Sequence, residues 1–318
     1  MKIDLVYTWV DDSDPEWLKG YQHWADFYHI ENITTDIDSR YRDNGELRYS
    51  LRSAQMNAPW VNHIYIVTAG QVPKWLDTSH PKITIVDHKE ILPSEALPTY
   101  NSGAIETALD NIPGLCEHFL FANDDMFFMN PVTPEYFFDD NQNPYVRFCR
   151  IGIKKETLLT NSYYYKIRNT FNLYSSKFRI APFFKFYVIS HQIDPFRKSY
   201  ITDCKSVFKN EFEKTALLKF RHPKSVHRTI YGYYMADQKG CIIREMPNIK
   251  ETLAFRQSEM LNISMETFDF VYKRGYIKNG YPKLMCLNDT EHVKDKDREM
   301  VSKQLEMFFP QKAEWEID

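Results

Sequence analysis

Short apolar runs recur at intervals along roughly the first 130 residues of the chain. Four of them are rich in β-branched and aromatic residues and are bounded by turn residues: Ile3–Val10, His63–Thr68, Lys82–Asp87 and His118–Ala122. Runs of this length and composition are typical of buried strands. We therefore predict four strands in this part of the chain.

Helical patterns lie between these runs. In Asn44–Asn57, apolar residues recur at i, i+4 and i+7, and Pro59 follows the end of the pattern. In Ser102–Asn111, an apolar stripe begins after Ser102, which we predict as the N-cap. Strands that alternate with helices predict an α/β fold with a mostly parallel, Rossmann-like sheet and helices on both faces.

From about residue 150 onward the chain is basic, aromatic and less regular. Between Arg150 and Arg228 there are 17 Lys/Arg against 5 Asp/Glu, although the net charge of all 318 residues is only −3. We predict an α/β half over 1–149, a basic, aromatic, helical insertion over 150–240, and a part over 241–318 that completes the domain. The last part contains a strand at Lys283–Leu287 and a helix at Asp295–Phe309.

The charge distribution leaves two interpretations of the insertion. It is either a solvated basic face or a surface for a polyanion, such as a phosphate-containing polymer or acidic lipid headgroups. We find no nucleic-acid-binding motif and expect no nucleic-acid partner.

The five cysteines are widely spaced, odd in number and without a C-x-x-C pair. This pattern argues against a disulfide framework and against a zinc site, and it fits a reducing compartment. The N-terminal apolar run is too short and too polar for a signal peptide, and no stretch approaches the roughly 18 apolar residues of a membrane span. We expect a cytoplasmic protein.

Acidic residues follow two of the predicted strands. Asp11 comes directly after the first, and Asn123-Asp124-Asp125 follows the fourth. In parallel sheets, ligands bind at the carboxyl ends of the strands. Carboxylates there suit Mg²⁺ or Mn²⁺ bridging a diphosphate, as in glycosyltransferases with a nucleotide-binding half-sheet. The alternative is that each Asp is a helix N-cap or turn residue.

Asn288-Asp289 repeats this pattern, because it follows the later apolar run. We predict that both Asn-Asp pairs converge on one cation and one phosphate. A weaker signal is His191, which lies in a turn-like segment ending at Lys198 and is a candidate general base; the alternative is a surface or structural histidine. A second weak signal is Arg221, a cation beside the imidazole of His222.

Arginines surround the start of the helix predicted at Asn44. Arg42 lies beside its N-terminus, and Arg48 and Arg52 lie one turn apart on one face. A helix start with several guanidinium groups is a good anion site. The alternative is solvent-facing arginines paired with acids. Because no glycine-rich phosphate loop is present, we expect metal and arginines to hold phosphate.

In order along the chain, these segments resemble the Stealth family, which includes bacterial capsular-polysaccharide phosphotransferases and the animal N-acetylglucosamine-1-phosphotransferase. The matching blocks are Ile3 to Pro15, Arg40 to Asp125, His191 to Arg221 and Cys286 to Asp289. Two positions depart from the family pattern. Asp12 stands where Gly is usual, and Gly103 where Asn is frequent.

The resemblance implies a glycosyltransferase-A-like sheet and a sugar-1-phosphate transfer. A UDP-sugar donates its sugar 1-phosphate to a hydroxyl of a saccharide or lipid-linked saccharide, and UMP leaves. The resemblance places the enzyme in capsular or cell-surface polysaccharide synthesis, free in the cytoplasm or at the inner face of the membrane.

The same resemblance implies a role for each candidate residue. Mg²⁺ or Mn²⁺ is held by Asp124, Asp125, Asn288 and Asp289. The catalytic set is His191 as general base, Arg221, Arg48 and Asp125. Substrate binding falls to Asp11, Arg42, Asn44, Arg52, Asn101, Ser102 and Lys198.

Three alternatives stay open at this point. A glycosyltransferase on the same scaffold would release UDP. A binding protein would hold anionic polymer without metal or donor. A nucleotide-sugar hydrolase would need no acceptor.

Overall fold

The computed structural model describes residues 1–30, 40–150, 162–246, 259–277 and 280–317. Residues 151–161 of the predicted basic insertion therefore lie outside the described residues. The strands, in chain order, are β1 Ile3–Thr8, β2 Ile64–Thr68, β3 Ile83–Asp87, β4 His118–Asn123, β5 Met126–Phe128, β6 Val146–Arg150, β7 Tyr187–Ile189, β8 Asp194–Arg197, β9 Ile243–Met246, β10 Met260–Ser264 and β11 Leu284–Asn288.

The central sheet has the strand order β3-β2-β1-β4-β8. The first four strands are mutually parallel, and β8 is antiparallel to β4. Strands β1, β2 and β4 are buried on both faces, which explains why their sequences are near-continuous apolar runs. The predicted mostly parallel sheet is confirmed.

Ten α-helices lie in the described part of the chain, and several of them cover the two faces of the central sheet. The ten helices are α1 Pro15–Phe27, α2 Glu46–Asn57, α3 His88–Ile91, α4 Ser102–Glu106, α5 Ser162–Ser175, α6 Lys198–Val207, α7 Lys209–Ala216, α8 Thr229–Gln238, α9 Met265–Lys273 and α10 Asp295–Phe308. Leu47 and Leu51 of α2 pack with Leu5 and Leu120 on one face. Helices α6, α7 and α8 pack on the other face.

Two three-stranded sheets flank the central one. Strand β11 lies between β10, to which it is parallel, and β5, to which it is antiparallel. Because β5 begins directly after Asp125, this pairing brings Asn288 beside the carboxyl end of β4. The other sheet has the order β7-β6-β9.

The predicted helix at Ser102–Asn111 is broken in the structure. An α-helix covers Ser102–Glu106, and a separate 3₁₀ turn covers Leu109–Asn111. The N-cap is Asn101, whose side chain accepts a hydrogen bond from the Gly103 amide, so the predicted cap at Ser102 was wrong by one residue. Asn favours the cap because its short side chain reaches the free amides of the first turn.

All five cysteines lie in the described part of the chain, and all carry free thiols. Within the described ranges, no helix is both long enough and apolar enough to cross a bilayer. The proposed division at residues 149 and 240 stays a prediction.

Candidate active site

Two pockets meet at the carboxyl edge of the central sheet. The first, of about 220 Å³, is lined by residues that follow β1, β2, β3 and β4, among them Trp9, Ala69, His88 and Asp124. The second, of about 720 Å³, reaches from Asp124 towards the end of β11. Six residues line both pockets and are called the shared wall: Arg40, Asn123, Asp124, Tyr163, His191 and Arg221.

Carboxylates crowd one side of the shared wall. Burial, together with the charges of Asp125, Glu46 and Asp43, raises the pKa of Asp124 well above its ordinary value. Burial also raises the pKa of Asp125 to about 6 and that of Glu46 to about 7. Like charges that raise one another's pKa values bind a cation favourably, because the cation removes the repulsion.

Asp125 itself provides the test of whether a divalent cation fits. Its Oδ1 is buried and has no hydrogen-bond partner among the described residues, and its Oδ2 lies 3.4 Å from Cys286 Sγ. One ligand atom each of Asp125, His191 and Cys286 lie within 4.8 Å of one another. An unpaired carboxylate oxygen beside a second carboxylate fits a hard cation such as Mg²⁺ or Mn²⁺. The thiol and imidazole add donors that softer metals prefer.

The predicted pair Asn288-Asp289 reaches the second pocket, but its side chains are largely committed. Asp289 accepts two hydrogen bonds from Arg298, at 2.7 and 2.9 Å, and one from Asn44 Nδ2 at 3.2 Å. The Asn288 amide nitrogen donates to Asn262 Oδ1 at 2.6 Å, which leaves its Oδ1 as the atom suited to a cation. The structure thus brings Asn288 and Asp289 near Asp125, with Asp289 held by a guanidinium.

Cations occupy the other side of the shared wall. Arg40 and Arg221 belong to the wall, and Lys166 and Arg228 line the first pocket beside them. Burial lowers the pKa of Lys166 to about 8, opposed by Glu106 and assisted by the charges of Arg221, Arg228 and Arg40. Cations that repel one another across a pocket bind an anion favourably for the same reason that the carboxylates bind a cation.

His191 lies between the two groups of charges. The guanidinium of Arg228, which pairs with buried Asp194 at 3.3 Å, also lies 3.4 Å from His191 Nδ1. An arginine has no acceptor, so Nδ1 accepts and the neutral imidazole carries its hydrogen on Nε2. Burial, Arg228 and Arg221 lower the pKa of His191 to about 3, so the ring is neutral at pH 7.

Two of the predicted anion-binding arginines lie elsewhere. Arg52 is buried and donates to Glu316 at 2.7 and 3.0 Å, to Glu306 and to the Phe309 carbonyl. Arg48 donates to the same Glu316 at 2.6 Å. The guanidinium donors of Arg48 and Arg52 are therefore used by hydrogen bonds to the C-terminal segment. Neither residue lines the first or the second pocket. The alternative interpretation, arginines paired with acids, describes them better. Arg42 does line the second pocket.

Four other predicted binding residues do not line the pockets. Asn44 instead donates from its Nδ2 to Glu46 Oε1 at 2.8 Å and to Asp289. Asn101 is fully buried, and its amide donates to the Leu218 carbonyl besides capping α4. Asp11 caps the turn at Ser13. Lys198 follows the end of β8 that pairs with the start of β4, at the opposite edge of the sheet. Ser102 does line the first pocket.

Several pocket residues had been given no role of their own from the sequence. They are the cations Arg40, Lys166 and Arg228, the acid Glu106, and the aromatic residues Trp9, Trp17, Tyr41, Tyr100 and Tyr163. The basic bias of residues 150–228 was the available signal for Lys166 and Arg228. The aromatic residues lie on separate elements, so no spacing along the chain links them.

Models of two conserved regions of the Stealth proteins match the chain. Conserved region 1 matches residues 1–23, and conserved region 2 matches residues 40–146. These matches contain Asp124 and Asp125 but neither His191 nor Asn288.

The same part of the chain is similar to curated phosphotransferases. It is 53% identical over 140 residues to an exopolysaccharide phosphotransferase of Streptomyces coelicolor and 45% identical over 141 residues to the capsular polysaccharide phosphotransferase LcbA of Neisseria meningitidis. An exopolysaccharide phosphotransferase of Lactiplantibacillus plantarum is 44% identical over 142 residues. The matches cover 44–45% of this chain and 23%, 38% and 41% of those proteins, respectively.

Among solved structures, the galactosyltransferase LgtC, crystallised with donor and acceptor sugar analogs, aligns with 98% of both chains. The sequence identity is 10% and the TM-score 0.46.

Proposed function

We propose that this chain, a member of the Stealth family by its conserved regions 1 and 2, is an enzyme that transfers a sugar 1-phosphate. The donor is a UDP-sugar and the acceptor is a hydroxyl of a saccharide, free or lipid-linked, in the synthesis of a capsular or other cell-surface polysaccharide. The curated relatives, named phosphotransferases of such polymers, support the reaction class.

The observation that carries the proposal is the shared wall. It places the Asp124 carboxylate and the guanidinium groups of Arg221 and Arg40 on the same surface between two adjoining pockets, and Asp125 lies beside Asp124 in the second pocket. A diphosphate bound at this wall would have the carboxylates that hold the cation on one side and the guanidinium groups on the other. Two adjoining pockets suit two substrates that must meet at one phosphorus atom.

Each side chain has a task in this reaction. Arg221 and Arg40 bind oxygens of the attacked phosphoryl group and hold it in line with the acceptor hydroxyl. Asp124 and Asp125, with the Asn288 oxygen, would hold Mg²⁺ or Mn²⁺. When bound, this cation neutralises charge on the diphosphate.

The acceptor oxygen attacks the sugar-bearing phosphorus, a new P–O bond forms, and the P–O bond to the uridylate oxygen breaks. The hydroxyl proton passes to His191 and UMP leaves. A bound anion draws the Arg228 donor away from His191 Nδ1, which frees that lone pair for the proton. It also offsets the guanidinium charges that lower the pKa of the ring.

The reaction takes place in the cytoplasm in this proposal, free or at the inner face of the membrane. The free thiols support a reducing compartment.

The test incubates the protein with a panel of UDP-sugars, saccharide acceptors and Mg²⁺ or Mn²⁺. Release of UMP and a phosphodiester signal in the phosphorus NMR spectrum of the product are expected. Release of UDP would replace the proposal with a glycosyl transfer, and nucleotide release without acceptor would replace it with a hydrolysis.

Variants assign the roles. Asp124→Ala and His191→Ala should each lose at least about 100-fold in transfer rate. The matched control is Asp140→Ala, since Asp140 is an exposed acid outside both pockets. Full activity in either of the first two variants would remove the role given to that residue.

A further inference from the structure

A continuous series of aromatic rings connects the first pocket with the protein surface. Trp17 and Tyr100 line the pocket, with their ring centroids 5.5 Å apart. Phe220 stacks on Tyr100 at 5.4 Å and 20°. The rings of Tyr28 and Phe220 meet edge to face, with their centroids 6.1 Å apart. The series therefore runs outward from the pocket to the C-terminal end of α1.

At the surface the series widens into three rings, Trp24, Phe27 and Tyr28, which we call the aromatic platform. Trp24 lies 5.7 Å from Phe27 and stacks on Tyr28 at 6.1 Å. Phe27 is 65% exposed and Tyr28 is 49% exposed. A contiguous patch of exposed apolar side chains often marks a binding surface.

The platform is held in place from beneath. The Lys219 ammonium lies 4.5 Å from the Trp24 ring and donates to the carbonyl oxygens of Leu97 and Pro98. Lys219 and Arg221 flank Phe220 in the chain, and Arg221 belongs to the shared wall. The two neighbours of Phe220 in the chain therefore contact the platform ring Trp24 and line the shared wall, respectively.

The chemistry of the platform suits a saccharide. A sugar ring has a flat face of C–H groups that packs on aromatic rings and an edge of hydroxyls that hydrogen-bonds to polar neighbours. The exposed neighbours on α1 and just beyond it include Gln22, His23, Asp26 and His29.

A lipid surface fits less well. Around the rings, α1 and its N-cap carry Asp14, Glu16 and Asp26 against one basic residue, Lys19. Helices that bind anionic membranes are instead rich in Lys and Arg on their polar face.

We propose that Trp24, Phe27 and Tyr28 bind the saccharide acceptor and direct its reactive end along Phe220 to the shared wall. This inference rests on the proposed function, because it names the acceptor site of that reaction. It assigns binding of the part of the acceptor remote from the reactive hydroxyl to the end of α1, outside both pockets.

The test is steady-state kinetics of Phe27→Ala, Tyr28→Ala and the double variant, with the acceptor that supports UMP release. Both residues are exposed, so the folded state should tolerate both changes. The KM for an oligosaccharide acceptor should rise about tenfold in the double variant, while the KM for the UDP-sugar and kcat stay within about twofold. The KM for a monosaccharide glycoside acceptor should change less, because it is too short to span the rings.

The control is Phe270→Ala, since Phe270 is 52% exposed on α9 and outside both pockets. It should leave both KM values unchanged. An unchanged acceptor KM in the double variant would overturn the inference while leaving the proposed function intact.

A direct binding measurement distinguishes failure of the proposed function from failure of the platform inference. If no donor is turned over, the proposed function fails, and the platform is tested by binding of the wild-type protein and the double variant to an oligosaccharide array. Equal binding of both proteins would overturn the platform. Loss of binding to vesicles of phosphatidylserine and phosphatidylcholine, with an unchanged acceptor KM, would identify a membrane contact instead.

Discussion

The surroundings of Asp124 in the fold disfavour ionisation of its carboxyl group. It lies among Asp125, Glu46 and Asp43, and burial with these neighbours raises its pKa well above the ordinary value. In the folded protein without metal, ionisation of this group therefore costs stability that increases as the pH rises from its unfolded pKa towards its folded pKa. Residues that serve chemistry often carry such a cost.

Asp124→Asn should separate stability from activity. Removal of the charge relieves the repulsion, so the free energy of unfolding at pH 8 in EDTA should rise by about 1 kcal/mol, while transfer activity is lost. Urea unfolding and the transfer assay measure the two effects. Asp140→Asn, at an exposed acid, should change neither. A destabilised Asp124→Asn protein would show that the carboxylate is a structural acceptor.

His88 makes the fold sensitive to acid. Burial lowers its pKa to about 4, and its Nε2 is buried with no hydrogen-bond partner among the described residues. The unfolded chain takes up this proton near pH 6.5 and the folded chain only near pH 4, so stability is lost as the pH falls through this window.

His88→Gln should reduce the fall in unfolding free energy between pH 7.5 and pH 5 by about 2 kcal/mol. Denaturant titrations at the two pH values measure it. The control is His292→Gln, at an exposed histidine, which should keep the wild-type slope. An equal slope in the His88 variant would mean that the buried ring is already protonated at pH 7.5.

The acidic pair Asp124-Asp125 could be predicted as a site from the sequence because it directly follows a strand of recognisable pattern. Arg48 and Arg52 show the limit of such reasoning. Their spacing correctly placed them on one helix face, but it could not show that Glu316 lies there. A charge pair separated by more than 260 residues leaves no local signal.

The side chain of Tyr100 determines which residue helix α1 accepts at position 20. Gly20 lies inside the helix, where glycine costs about 1 kcal/mol relative to alanine. A Cβ at this position would come within 2.8 Å of the Tyr100 hydroxyl, so the close approach of Tyr100 explains the glycine.

Gly20→Ala should therefore destabilise the protein by about 1–3 kcal/mol, against the direction that helix propensity predicts. In a Tyr100→Phe background, which lacks the hydroxyl, the same change should be neutral or stabilising. Thermal or urea unfolding of the four proteins measures the coupling. A stabilised single variant would mean that α1 shifts to accept the methyl group.

At the scale of elements, the sequence predicted the four parallel strands of the central sheet to within two residues, because each is a short apolar run bounded by turn residues. It missed β8, which lies in the segment that we predicted as turn-like. It also missed the pairing of β5 with β11. Strand β5 is three residues long and follows a turn at Asp124-Asp125, so its pattern is too short to indicate a strand. Its existence depends on the partner strand.

At the scale of the whole molecule, the C-terminal segment holds α2 in place through ion pairs. Glu316 is buried and accepts hydrogen bonds from Arg48 and Arg52, and its backbone forms a β-bridge with Leu76. Arg52 is buried as well, whereas the Arg48 side chain is 32% exposed.

Arg52→Met should lower the free energy of unfolding by about 3–5 kcal/mol, because it leaves the buried Glu316 without its main partner. Arg48→Met should cost less than about 1 kcal/mol. Urea unfolding measures both, and the transfer rate of the folded fraction should be unchanged. A selective loss of transfer in Arg48→Met would restore the anion-binding role given to it from the sequence.

The pairing of β11 with β5 has a consequence for how the protein is made. Asp125 and Cys286 are 161 positions apart, yet their side chains touch in the folded protein. Contacts between such distant positions form late, because the loop between them must close first. A chain emerging from the ribosome therefore lacks part of the proposed metal site until β11 has been synthesised. Metal ions and nucleotide should accordingly accelerate refolding little, and should slow unfolding by binding the finished fold.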